Sequence, residues 1–155
     1  MKIITCFVIL SMAIISCNNV QPSLVITTSE KTNIQGTWKL MEGITIEKGD
    51  SVITDYTKDK SFIKILNATH FAFMGHDLNK GKDSVAEFSS GGGNYTLNDS
   101  NYTEHLEYCN DRQWEGNDFS FTITINNDTL VQQGIEKIDS IGVNRLNIEK
   151  YIRLK

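Results

Sequence analysis

Proline and cysteine are scarce in this sequence: its 155 residues include one Pro and three Cys. A single Pro excludes Pro-rich and collagen-like architectures. Three Cys, an odd number, do not make a disulfide framework. An excess of positive charge is also missing. The net charge of −4, with basic residues scattered, argues against a nucleic-acid partner, which needs a basic face. The common signatures of catalysis are absent too. Ser84 and Ser89-Ser90 sit in no Gly-x-Ser-x-Gly elbow. The triplet Gly91-Gly92-Gly93 is followed by no Lys-Ser/Thr of a phosphate loop. There is no His-Glu-x-x-His and no paired Cys for zinc. No catalytic residue, metal-ligand set or cofactor motif is therefore assigned, and the chain does not read as an enzyme. What is present, 39% apolar and 22% charged residues, suits one small globular domain.

The N-terminus has its own character. Lys2 precedes an apolar run from Ile3 to Ile15, broken only by Thr5 and Ser11. The run is short for a bilayer span, which takes about 20 residues, and fits the core of an export signal. It ends in Ile14-Ile15-Ser16-Cys17. A branched apolar residue, a small residue and then Cys resembles the lipobox of bacterial lipoproteins. The resemblance implies residues 1–16 as a signal peptide, cleavage before Cys17, and lipid on its sulfur and new amino group. Several acyl chains exceed the two signals that stable anchoring requires. Asn18, rather than Asp, follows the Cys. By similarity to enteric sorting rules this implies the outer membrane of a Gram-negative envelope, with the lipid bilayer as a partner through acylated Cys17. Residues 17–35, rich in Ser, Thr, Asn and Gln around Pro22, read as the lipidated Cys and a polar tether. Cys109 then remains as the one free thiol, expected to be a buried structural group.

Residues 36–155 read as the domain, in short runs of period two between turn residues. Trp38 and Leu40 share a face. Phe62 to Leu66 alternate, followed by an Asn67-Ala68-Thr69 turn and by Phe71 and Phe73. Val85 and Phe88 open a stretch ending at the Gly triplet, where a bulge, bend or close approach is expected. Tyr95 and Leu97 follow. Asn98 to Asn101 has hairpin composition, and Tyr102 to Cys109 alternate again. Phe119, Phe121, Ile123 and Ile125 make the cleanest half-buried strand. Asn126-Asn127-Asp128 turns into Thr129 to Ile135, and the last run is Leu146 to Leu154. Eight or nine strands with no amphipathic helix predict an all-β fold. Consecutive hairpins favour an antiparallel up-and-down barrel of about eight strands, which removes exposed edges and leaves room for packed side chains or one small ligand.

The domain opens with Gly36-Thr37-Trp38 and ends with Tyr151-Ile152-Arg153-Leu154. This resembles the Gly-x-Trp signature and late Arg of lipocalins and fatty-acid-binding proteins, in which the Arg packs across the Trp ring. The chain from about residue 34 onward is similar to bacterial lipocalin-like lipoproteins, a group that carries a segment like Tyr102-Thr103-Glu104-His105-Leu106-Glu107-Tyr108. The resemblance implies a calycin-type barrel, with Trp38 and Arg153 as a pair that closes it. There are two departures. Residues 44–60 lack the helical lid of fatty-acid-binding proteins. The last strand also has Tyr151-x-Arg153 where those proteins have Arg-x-Tyr, so a fatty-acid site is not carried over.

The expected function is a membrane-anchored envelope lipoprotein that binds a small hydrophobic or amphipathic ligand. The candidate binding residues are Phe71, Phe73, Tyr102, Glu104, Leu106 and Tyr108. One face of the Tyr102 strand reads Tyr, Glu, Leu, Tyr; if it points inward, Glu104 is a carboxylate among apolar groups and needs a partner. The opposite face would bring in His105, Glu107 and Cys109 instead. The alternative is an interaction lipoprotein with a filled barrel that contacts another envelope component, Trp114 being a candidate for its outer patch. A metal-assisted activity would need His70, His105 and Glu104 to converge.

Overall fold

The computed structural model describes residues 33–82 and 86–155. The expected signal peptide, Cys17, the expected tether through residue 32, Ser84 and Val85 lie outside the described residues. Nine strands are described: β1 (Gly36–Glu47), β2 (Asp50–Asp55), β3 (Lys60–Leu66), β4 (His70–Asp77), β5 (Phe88–Asn98), β6 (Asn101–Cys109), β7 (Asn117–Asn126), β8 (Thr129–Ile138) and β9 (Val143–Arg153). Each pairs antiparallel with its neighbour, and β9 returns to β1. The result is a closed, up-and-down barrel of eight strands, of calycin-like build. β2 is the extra one. It continues the line of β3 along β1, so that β1 pairs with β3 from Gly36 to Lys39 and with β2 from Glu42 to Glu47. A bulge between Leu40 and Glu42 separates the two halves.

The turns follow from local chemistry. Three hairpins have two-residue loops, at Lys48-Gly49, Asp99-Ser100 and Asn127-Asp128. The left-handed φ of 54° at both Asp99 and Asn127 suits residues that tolerate that region. Between β3 and β4 the Asn67 side chain accepts from the N–H of Thr69 at 2.8 Å and of His70 at 2.7 Å, forming an Asx turn.

The core gathers Trp38, Leu40, Leu66, Phe71, Tyr102, Phe121, Ile123, Leu130 and Tyr151. β7 is the model of its own sequence: Phe119, Phe121 and Ile123 are buried while Ser120, Thr122 and Thr124 are exposed. Asn33–Gln35 runs against the end where β1 begins and β9 finishes. Ile34 is buried there, and the Trp38 indole N–H donates to its carbonyl at 2.8 Å. Trp38 and Arg153 are register partners, with the guanidinium carbon 4.1 Å from the ring centroid. Arg153 also donates to the carbonyls of Gln35 and Asn33. One side chain thus ties the first strand, the last strand and the entering chain together.

The strand limits differ from the sequence reading in three places. β5 runs unbroken through Gly91–Gly93 instead of ending there. The irregularity sits opposite, in β6, where the register shifts between Gly92 and Gly93 and Glu107 is the extra residue. The glycines permit close approach. A Cβ on Gly91 would lie 2.5 Å from the Phe73 ring, and one on Gly75 would clash with the Phe62 ring. Each glycine faces that aromatic across the ladder, so the rings fold over them. β2 gives no period-two signal because both its faces are exposed. β8 and β9 extend to Ile138 and begin at Val143, meeting at a left-handed Gly142 with φ 72°.

Candidate functional site

The interior of the barrel is not filled. A cavity of about 370 Å³ opens among β3, β4 and β6 to β9. One side of it is apolar: Phe62, Phe73, Leu106, Trp114 and Phe119. Phe62 and Phe73 stack with centroids 5.7 Å apart, and Tyr56 meets Phe62 edge-on at 5.9 Å. Trp114, in the loop after β6, packs on Phe119 and lies under the Arg145 guanidinium at 5.2 Å. It is half-buried and turned toward the cavity.

The other side is charged. Lys64 projects from the middle of β3, its side chain only 5% exposed. Its ammonium donates to Glu104 at 2.7 Å and to Gln132 at 3.0 Å, and stands 3.8 Å from Glu149. Burial alone would drive the lysine toward its neutral form; Glu104 and Glu149 more than reverse this, and its pKa is raised. Glu149 in turn accepts from the Tyr151 hydroxyl at 2.8 Å. Nearby, Glu136 takes the Arg145 Nε at 2.7 Å and the Asn147 amide at 2.9 Å. Burial holds the Glu136 carboxyl above the usual carboxylate range, although Arg145 pulls it back. Three carboxylates thus face two cations across this wall. Each lies at an inward position of its strand, flanked by outward residues, which is why a period-two reading finds the strands without distinguishing their charges from surface ones.

The candidate residues fall in different places. Phe73, Glu104 and Leu106 line the cavity. Phe71 and Tyr102 are buried in the packed core and are not in the cavity wall. The Tyr102 hydroxyl lies beside Glu104 without a well-formed hydrogen bond. Tyr108 is 67% exposed. The Glu107 bulge inverts the alternation, so Tyr108 pairs with Gly92 while Cys109 turns into the cavity wall opposite Gly91. The Cys109 thiol is half-buried, and desolvation pushes its pKa up. His105 points outward to Asp118 at 2.8 Å, and His70 contacts Thr69 at 2.7 Å. These histidines do not converge with Glu104. No group of three or more His, Cys, Asp or Glu suited to a metal ion occurs among the described residues.

Sequence reasoning missed Lys64, Gln132, Glu136, Arg145, Asn147 and Glu149. The available signal is a charged or amide side chain at a core-facing strand position, as in Ile63-Lys64-Ile65. Comparison with protein-family models gives no match, and comparison with curated proteins gives no significant match.

Proposed function

We propose that this chain is a lipocalin-like envelope lipoprotein, anchored through acylated Cys17, whose barrel holds a small amphipathic ligand. The observation that carries the reading is the unfilled interior. A volume of about 370 Å³ lies in the range of small-molecule sites, roughly 300–1,000 Å³. Its walls divide into an aromatic side and a side with fixed charges, the arrangement that orients an amphipathic molecule. The Trp38–Arg153 closure and the antiparallel topology support kinship with lipocalins, and the lipobox supports the anchor.

Native mass spectrometry of the protein released from membranes in mild detergent tests the binding role. A co-purifying small mass, lost when Leu106→Trp fills the cavity, supports it. No bound mass, together with no uptake of a neutral apolar fluorophore, overturns it. Incorporation of labelled palmitate into the wild type, abolished by Cys17→Ser, tests the anchor separately.

A second reading rests on the outer surface. Ile44 pairs with Ile53 and Ile148, and Ile46 with Leu146, which pairs with Ile135. Ile53 and Ile135 are 66% and 53% exposed. Such a patch favours contact with another envelope component. The alternative of a filled barrel, however, needs a packed interior, and the cavity weighs against it.

A further inference from the structure

We infer that the cavity selects a ligand with a cationic or strongly hydrogen-bond-donating head, such as an alkyl- or arylalkylamine, and that Glu149 receives that head. The inference rests on the ligand-binding reading above and names the chemistry of that site.

The charge count in the wall is the starting point. Lys64 is committed to Glu104 and Gln132, and Arg145 to Glu136. Both oxygens of Glu136 accept hydrogen bonds, from Arg145 and Asn147. Glu149 is the one of these three carboxylates held least closely, sharing Lys64 with Glu104 at the longer distance. Among the described residues its nearest cation is Lys64, 3.8 Å from Oε2, which also takes the Tyr151 hydroxyl at 2.8 Å, and none of them hydrogen-bonds to Oε1. At 18% side-chain exposure it borders the cavity rather than lying sealed beneath it. An ammonium placed there gives Glu149 a cation of its own, where it now shares Lys64. An anionic head would find both cations engaged and would face an excess of carboxylates in a low-dielectric space, where like charges repel strongly. The aromatic side, with the stacked Phe62 and Phe73 rings, accepts the apolar body and adds face-on attraction for a nearby cation.

Competition against a bound neutral naphthyl fluorophore tests the inference with three probes of one chain length: octylamine, octanol and octanoate. A charge-assisted hydrogen bond predicts that octylamine displaces the fluorophore at least about tenfold more tightly than octanol, with octanoate weakest. Glu149→Gln keeps an acceptor for Tyr151 and removes the charge. In that variant the preference for the amine over octanol falls to within about threefold. Equal affinities, an octanoate preference, or an amine preference that survives Glu149→Gln overturns the inference. If that variant does not fold, the wild-type ranking alone decides. If the fluorophore does not bind, or binds Leu106→Trp as well as wild type, the ligand-binding reading itself fails. If it binds and Leu106→Trp blocks it but no head-group ranking appears, only the cation inference fails.

Discussion

Replacing Lys64 by Met removes the cation that, among the described residues, pairs with Glu104, while keeping a side chain of similar length in the wall of β3. The pair is nearly sealed, with side chains 5% and 9% exposed, so its loss differs in kind from losing a surface bridge. Breaking a buried pair by deleting one partner costs about 3–5 kcal/mol, since the other charge is left desolvated. For a domain of this size that corresponds to a melting temperature lower by about 10–20 °C. The structure predicts an asymmetry. Glu104→Gln leaves Lys64 with Gln132 at 3.0 Å and Glu149 at 3.8 Å, so it costs less, about 1–3 kcal/mol. Lys64→Met leaves both Glu104 and Glu149 without their cation. The double variant Lys64→Met with Glu104→Leu replaces the pair by apolar volume and recovers much of the loss, giving a coupling of at least about 2 kcal/mol. Urea unfolding of the four proteins measures the cycle. The alkaline limb supplies a further sign. The folded-state pKa of Lys64 is raised above 10.5, so its contribution is fully present below 10.5 and is lost as pH rises through the folded value. Lys64→Met lacks that part of the alkaline loss. A cost for Lys64→Met below about 1 kcal/mol, or strictly additive effects, would refute the account of the pair.

Other perturbations have equally definite outcomes. Arg153→Ala removes the contact with Trp38 and the hydrogen bonds to Gln35 and Asn33, lowering stability by about 2–3 kcal/mol in urea melts. Arg153→Lys recovers less than half of this, because an ammonium cannot cover the ring and reach both carbonyls. Gly91→Ala puts a methyl 2.5 Å from the Phe73 ring and 2.7 Å from the Tyr108 carbonyl; the strain lowers stability by about 1–3 kcal/mol. Glu136 holds its proton more tightly folded than unfolded. Its contribution is therefore full below the ordinary carboxylate value of 4.5 and declines as pH rises toward the raised folded value. Glu136→Gln flattens that decline in midpoints measured from pH 4 to pH 8. Cys109, its pKa raised by desolvation, reacts with iodoacetamide more slowly than free cysteine at pH 8, and more slowly still when the cavity is occupied.

The barrel was legible because its strongest strands bury one face and wet the other. Phe119 to Ile125 shows this most plainly, and Trp38 with Arg153 marked the two strands that meet. β2 was not legible, since neither of its faces is buried, and Val52 and Ile53 alone make no period. The site was legible only in part. The Tyr102 strand alternates two faces, and its sequence leaves open whether Glu104 and Leu106 or His105 and Glu107 point inward. Tyr108 lost its place to a one-residue bulge, and a bulge inverts every later side chain. The partners of Lys64 come from β6, β8 and β9, 40 or more residues away along the chain. A linear pattern does not reveal which charges meet across a closed barrel.

The claim that the interior receives a ligand is tested most directly by the emission of Trp114, which borders the cavity while Trp38 lies fully buried in the core. Titrating the wild-type protein with octylamine, and separately with octanol, should give a saturable, one-to-one change in tryptophan emission that Leu106→Trp, once its added indole is allowed for, no longer shows. An emission that stays flat in both titrations, or a change of the same size and affinity in both proteins, would contradict it.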